Sequence, residues 1–159
     1  GLLHGRAIQP EKRLADLDIG ALQTSFATNA FGPAMVMQQA QSLLQKKPAV
    51  LINVSARVGS IDDNRLGGWY AYRASKAAQN MFTRTACIEI GRRNKRFAGI
   101  AFHPGTTSTP LSEPFRGGVP EDKLFSAERA ARQLLEVASS LTPAENGSFK
   151  AWDGSDINW

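Results

Sequence analysis

Three short apolar runs, Ala49 to Val54, Phe97 to Phe102 and Gly147 to Trp152, constrain the fold most, because long stretches of helical periodicity separate them. Runs this short and rich in β-branched and aromatic residues read as buried strands. Between the first two, Tyr70 to Gly91 places Ala71, Ala74, Ala78, Met81, Phe82, Ala86 and Ile90 at helical intervals. Between the last two, Ser126 stands as an N-cap ahead of Ala130, Leu134, Leu135, Val137 and Ala138, with Glu128 in the first turn. Upstream, Ile19 to about Lys47 carries Leu22, Phe26, Phe31, Met35, Val36, Leu43 and Leu44, and Pro33 predicts that the long helix begins near it. Residues before Ile19 read as loop and a short helix. Helical crossovers of this length join parallel strands, so the three strands are expected as parallel neighbours in half of a doubly wound α/β sheet. Ligands of such sheets gather at the carboxyl ends of the strands, here Asn53 to Ala56, His103 to Gly105 and the region of Trp152.

Bulk properties exclude more than they assign. The 159 residues are 42% hydrophobic and 21% charged, which suits one globular domain. A net charge of +5 raises the question of nucleic acid. The basic runs, Arg92-Arg93-Asn94-Lys95-Arg96 and Lys46-Lys47, fall where helices end and carry no interleaved aromatics, so a nucleic-acid partner is not expected. Cys87 is the only cysteine, and His4 and His103 are far apart with no partner at ligand spacing, so neither a disulfide nor a metal site is expected. No apolar run approaches the roughly 20 residues needed to span a bilayer, and the start shows no signal pattern, so a cytoplasmic protein without a membrane partner is expected.

Tyr72 and Lys76 stand four apart near the start of the second long helix, which puts them on one face. A phenol that titrates near pH 10 is too weak an acid for neutral-pH chemistry, and an adjacent ammonium lowers it by favouring the phenolate. The spacing alone fits a solvated helix face equally well.

The surrounding residues carry more. Tyr72-Arg73-Ala74-Ser75-Lys76-Ala77-Ala78 resembles the active-site segment of the short-chain dehydrogenase/reductase family. In the same order, Asn29 in Thr28-Asn29-Ala30-Phe31-Gly32 is similar to the family's helix asparagine, and Pro104-Gly105 with Thr109 resembles its turn beside the nicotinamide. The segments Val58 to Asn64 and Gly67 to Tyr72, with Ala151-Trp152-Asp153-Gly154, resemble a bacterial branch near the C-factor-like members. The resemblance implies a Rossmann-like fold and hydride transfer between NAD or NADP and a carbonyl or secondary alcohol. Tyr72 would exchange the substrate's proton, and Lys76 would tune the phenol and bind the cofactor ribose. Asn29 would hold a water connected to the lysine, while Pro104, Gly105 and Thr109 would contact the nicotinamide. It also implies a homo-oligomer joined through the Tyr72 helix and the helix ending near Lys47, where Ala78, Met81, Phe82 and Thr85 exceed one core face.

Two departures stand out. Where the family has a second serine at the strand end, this chain has Ser55-Ala56. Side chains alternate along a strand, so Ser55 reaches substrate only if the strand twists or bulges there, and satisfying backbone groups is an equal alternative. Ser60 is the other candidate. In addition, Gly1 matches the last glycine of the family's Asn-Asn-Ala-Gly segment, and no Gly-x-x-x-Gly-x-Gly run occurs in the chain. A single incomplete domain is therefore expected over 1–159, the catalytic and substrate side of the family fold. It should bind a dinucleotide poorly, show no measurable turnover alone, and expose an unpaired edge at Ala49 to Val54. The competing expectation is a non-catalytic binding or scaffold piece that retains the fold.

Overall fold

The computed structural model describes residues 1–5 and 8–159. The first long helical stretch is continuous from Ile19, earlier than Pro33 predicts. Asp18 caps it by accepting the Ala21 amide at 2.8 Å. Helix α1 (Ile19–Phe26) passes through a π-turn (Ala27–Phe31) into α2 (Gly32–Leu44), whose first turn holds Pro33. Proline has no amide to give the Asn29 carbonyl, and the helix widens there, with the Gly32 amide reaching Ala27. Pro33 therefore widens the helix without starting it.

Strand β1 (Ala49–Val54) follows, then α3 (Tyr70–Arg93), β2 (Phe97–His103), the two-residue strands β3 (Thr106–Thr107) and β4 (Leu124–Phe125), α4 (Ala127–Ser140) and β5 (Ser148–Ala151). β1, β2 and β5 form one sheet in that order, all parallel, with Ala49 opposite Phe97 and Ile100 opposite Ser148. This is the arrangement expected of strands joined through helices. β3 and β4 make a separate parallel pair beyond it. β1 is an edge among the described residues, and its Val50 and Val54 remain nearly half exposed.

Alternation along the strands divides the core. Phe97 packs with Cys87 and Ile90 of α3, while Ile100 and Phe102 pack with Val137 and Leu134 of α4. Helices thus cover both faces of the sheet. The expected Ser126 cap is present, its hydroxyl accepting the Arg129 amide at 3.1 Å. Arg92 and Arg93 lie in the last turn of α3. No helix among the described residues is long and apolar enough to cross a membrane.

Candidate active site

A cleft of about 790 Å³ opens at the carboxyl ends of β1 and β2, where a parallel sheet concentrates its binding residues. Tyr72, Lys76, Pro104, Gly105 and Thr109 all border it. Residues spread over almost forty positions of sequence therefore converge on one opening.

Tyr72 sits in the first turn of α3 with only 9% of its surface exposed, and burial pushes its phenol up to about 12. Lys76 lies one turn on, 4% exposed, and burial pushes its ammonium down to about 8. Its Nζ stands 6.0 Å from the centre of the Tyr72 ring. The lysine does not lower the phenol as the spacing suggests. Desolvation by burial is the cause of both shifts, disfavouring phenolate and ammonium alike, and two of the ammonium's protons go to other acceptors. Lys76 donates to the Val54 carbonyl at 3.2 Å and to Gln79 Oε1 at 2.8 Å. Gln79 in turn donates to Asn53 Oδ1 at 2.6 Å, which fixes the lysine to the end of β1. Gly59 permits this packing, because a Cβ there would stand 2.9 Å from backbone and side-chain atoms of Lys76.

Asn29 occupies the π-turn and is 1% exposed. Its Oδ1 accepts the Leu2 amide at 2.6 Å, and its Nδ2 donates to the Leu2 carbonyl at 2.7 Å and to Ser75 Oγ at 3.0 Å. It ties the chain's first residues to α3. Gly1 passes so close that a Cβ on it would be 3.4 Å from both Asn29 Oδ1 and Lys76 Nζ.

The serines answer differently from expectation. Ser55 borders the cleft, but its buried hydroxyl donates to Asn80 Oδ1 at 2.6 Å, and its amide continues the sheet by donating to Phe102 O. The hydroxyl of Ser55 is thus engaged with α3 at the regular end of β1. Ser60 is 2% exposed and accepts the Asp63 amide at 3.1 Å, closing the loop after β1.

Across the cleft, Gly105 has φ +75°, and a Cβ there would lie 2.5 Å from the Phe125 ring. Only glycine fits this turn. Thr109 accepts the amides of Ser112 and Glu113 on its carbonyl, starting a short helical segment over the cleft. The Thr107 hydroxyl and His103 Nδ1, both of cleft-lining residues, are buried without a hydrogen-bond partner among the described residues. Burial, aided by the nearby Arg57 guanidinium, pushes the His103 imidazole down to about 4.

Sequence reasoning assigned no role to Trp69 or Glu11. Trp69 precedes α3 with φ 52° and ψ 45°, a left-handed conformation that costs an L-residue about 1–2 kcal/mol. Its amide donates to the Glu11 carbonyl at 2.5 Å, and Glu11 Oε2 accepts the Ala71 amide at 3.1 Å. Glu11, 5% exposed, thereby caps α3 from sixty residues away. Phe115 meets Trp69 with ring centres 5.0 Å apart. The Gly67-Gly68 pair before a helix was the signal for an unusual helix start. Nothing local marks Glu11 as its cap.

Residues 1–119 match the family model described as short chain dehydrogenase. The chain is 32% identical over 146 residues to 1-hydroxy-2-glutathionyl-2-methyl-3-butene dehydrogenase of Rhodococcus sp., covering 92% of this chain and 62% of that protein. It is also 32% identical over 147 residues to C-signal of Myxococcus xanthus, covering 92% of this chain and 83% of that one. Among solved structures, carbonyl reductase Sniffer of D. melanogaster superposes with a TM-score of 0.82 at 27% identity, over 98% of this chain and 64% of its own. NADPH-bound carbonyl reductase from chicken fatty liver gives a TM-score of 0.82 at 25% identity, again over 98% and 64%.

Proposed function

Because the chain belongs to the short-chain dehydrogenase family, we propose that it forms the proton-transfer and substrate side of an NAD- or NADP-dependent oxidoreductase acting on a carbonyl or secondary alcohol. The observation that carries this reading is the meeting of Tyr72 and Lys76 with Pro104, Gly105 and Thr109 around one cleft.

The residues fit the nicotinamide end of such a cofactor. Lys76 has three protons and two protein acceptors, which leaves one for a ribose hydroxyl. The buried Thr107 hydroxyl lacks a partner among the described residues and Thr109 lines the same cleft, so both suit a carboxamide. The phosphate-binding glycine run is absent from this sequence, and no residue of the chain is assigned to the pyrophosphate. When bound, the nicotinamide supplies or accepts the hydride. Tyr72 gives its proton to the substrate oxygen during reduction. Burial keeps the phenol protonated at neutral pH, and it can still give up its proton because the substrate oxygen becomes more basic than a phenolate as it gains alkoxide character. Asn29 holds the backbone beside Lys76 in place.

Reduced nicotinamide mononucleotide isolates this half of the site, since it carries nicotinamide and ribose without the second nucleotide. Its fluorescence should change on binding at millimolar concentration, and Lys76→Met should weaken binding several-fold. Equal binding to both proteins, or none to either, contradicts the assignment.

A further inference from the structure

We infer that Trp69, with Phe115, is a specificity-determining wall of the cleft that selects ketones or aldehydes whose carbonyl is attached to a planar aromatic ring. The inference rests on the proposed carbonyl chemistry only for the position of the polar end, at Tyr72. Phe115, Trp69 and Tyr72 line the opening and stand in a row that His4, outside the lining, continues. His4 meets Phe115 with centres 5.6 Å apart at 68°, Phe115 meets Trp69 at 5.0 Å and 62°, and Trp69 meets Tyr72 at 6.4 Å and 68°. Each contact is edge-to-face, the arrangement in which one ring's positive edge meets another's negative face. A substrate aryl ring laid against Trp69 gains the same kind of edge-to-face contact, with Tyr72 next in the row for its carbonyl.

The placement of Trp69 is built and not incidental packing. The side chain is only half-buried and borders the cleft, yet its backbone is held in the left-handed region, with Gly67 and Gly68 before it also at positive φ. Three contacts hold it. The Glu11 carbonyl takes the Trp69 amide, the Glu11 carboxylate takes the Ala71 amide, and Arg73 clamps the Gly67 and Gly68 carbonyls at 3.2 and 3.0 Å. A strained residue fixed by its surroundings at the rim of a site is the expected signature of a residue kept for its position. The aliphatic side chains of the lining, among them Leu3, Leu66, Leu111 and Val119, have no ring quadrupole and cannot tell phenyl from cyclohexyl. The lining holds Arg57, Arg73 and Lys76 and no carboxylate, which disfavours a cationic ligand that the ring faces would otherwise attract.

The test compares acetophenone with cyclohexyl methyl ketone, matched in heavy atoms and differing in planarity and charge distribution. Without cofactor neither can be reduced, so equilibrium dialysis or ligand-observed NMR reads binding alone. The wild type should bind acetophenone about threefold to tenfold tighter, the range set by one or two aromatic contacts. In Trp69→Asn, which tolerates the left-handed backbone, and in Phe115→Leu, the preference should fall toward one. Glu11→Ala should lower it without removing a ring, and Glu11→Gln, which still accepts the Ala71 amide, should restore it. Equal affinities in the wild type, no saturable binding of acetophenone at millimolar concentration, or a preference unchanged in Trp69→Asn each overturns the inference. Failure of the hydride-transfer reading would leave the preference untouched and appear only when cofactor is added.

Discussion

Replacing Lys76 with methionine should stabilise the fold at neutral pH and destabilise it at alkaline pH. The ammonium is 4% exposed and titrates at about 8 in the folded chain, against 10.5 for an exposed lysine. At about 1.4 kcal/mol for each tenfold change, this is roughly 3 kcal/mol of disfavour toward the charged form. The unfolded chain binds the proton more tightly, so stability from this group is present above about pH 10.5 and is lost as pH falls through 8. Methionine keeps the stem's packing and removes the charge, but strips Gln79 Oε1 of its donor, which costs about 1–2 kcal/mol. The net expectation is a gain of about 1–2 kcal/mol at pH 7 and a loss of similar size above about pH 10.5. Urea unfolding of both proteins at the two pH values measures it. Ionisation of Tyr72 also lowers stability at high pH, but it is common to both proteins and cancels in the difference. Equal destabilisation at both values would refute the reasoning, because it would mean that the buried ammonium carries no penalty.

Ser55→Ala should cost about 1–2 kcal/mol by leaving Asn80 Oδ1 without its donor, with ketone affinity unchanged; lost affinity at unchanged stability would return Ser55 to the substrate side. The His103 ring signals should not titrate in NMR spectra between about pH 8 and 5, and stability should decline as pH falls from 6.5 toward 4, since the unfolded imidazole takes up its proton first. A midpoint near 6.5 would show that the ring is not buried as described. Met81 and Phe82 are exposed on α3 beside a groove against α2, and self-association is proposed there. Sedimentation at micromolar concentration should show a species larger than the monomer, and Met81→Glu with Phe82→Glu should dissociate it, whereas a wild-type monomer would contradict the proposal.

The parallel sheet was legible in the sequence because its strands are short and its crossovers long, which leaves few alternatives. The Tyr72/Lys76 pair was legible because both residues sit on one helix turn and their motif is local. Long-range environment was not. Whether Lys76 lowers the Tyr72 phenol depends on how deeply both are buried, and Ser55 faces Asn80 because β1 stays regular to its end. Glu11 caps α3 from a segment that nothing local ties to that helix, so the strained placement of Trp69 emerges only when the two segments meet. Pro33 misplaced the start of the first helix because a π-turn can absorb a missing amide, and that option leaves no local mark.

The central claim is that Tyr72 delivers the proton during carbonyl reduction, and one measurement tests it most directly. A glycine-rich phosphate-binding segment is fused ahead of Gly1 so that the cofactor's pyrophosphate is held. Turnover of a ketone with NADH and NADPH is then compared between that protein and its Tyr72→Phe variant, with cofactor binding followed in parallel. The variant keeps the ring's packing and lacks only the hydroxyl. Turnover should fall by about a hundredfold or more while cofactor affinity changes little. Undiminished ketone reduction in the Tyr72→Phe variant would contradict the account.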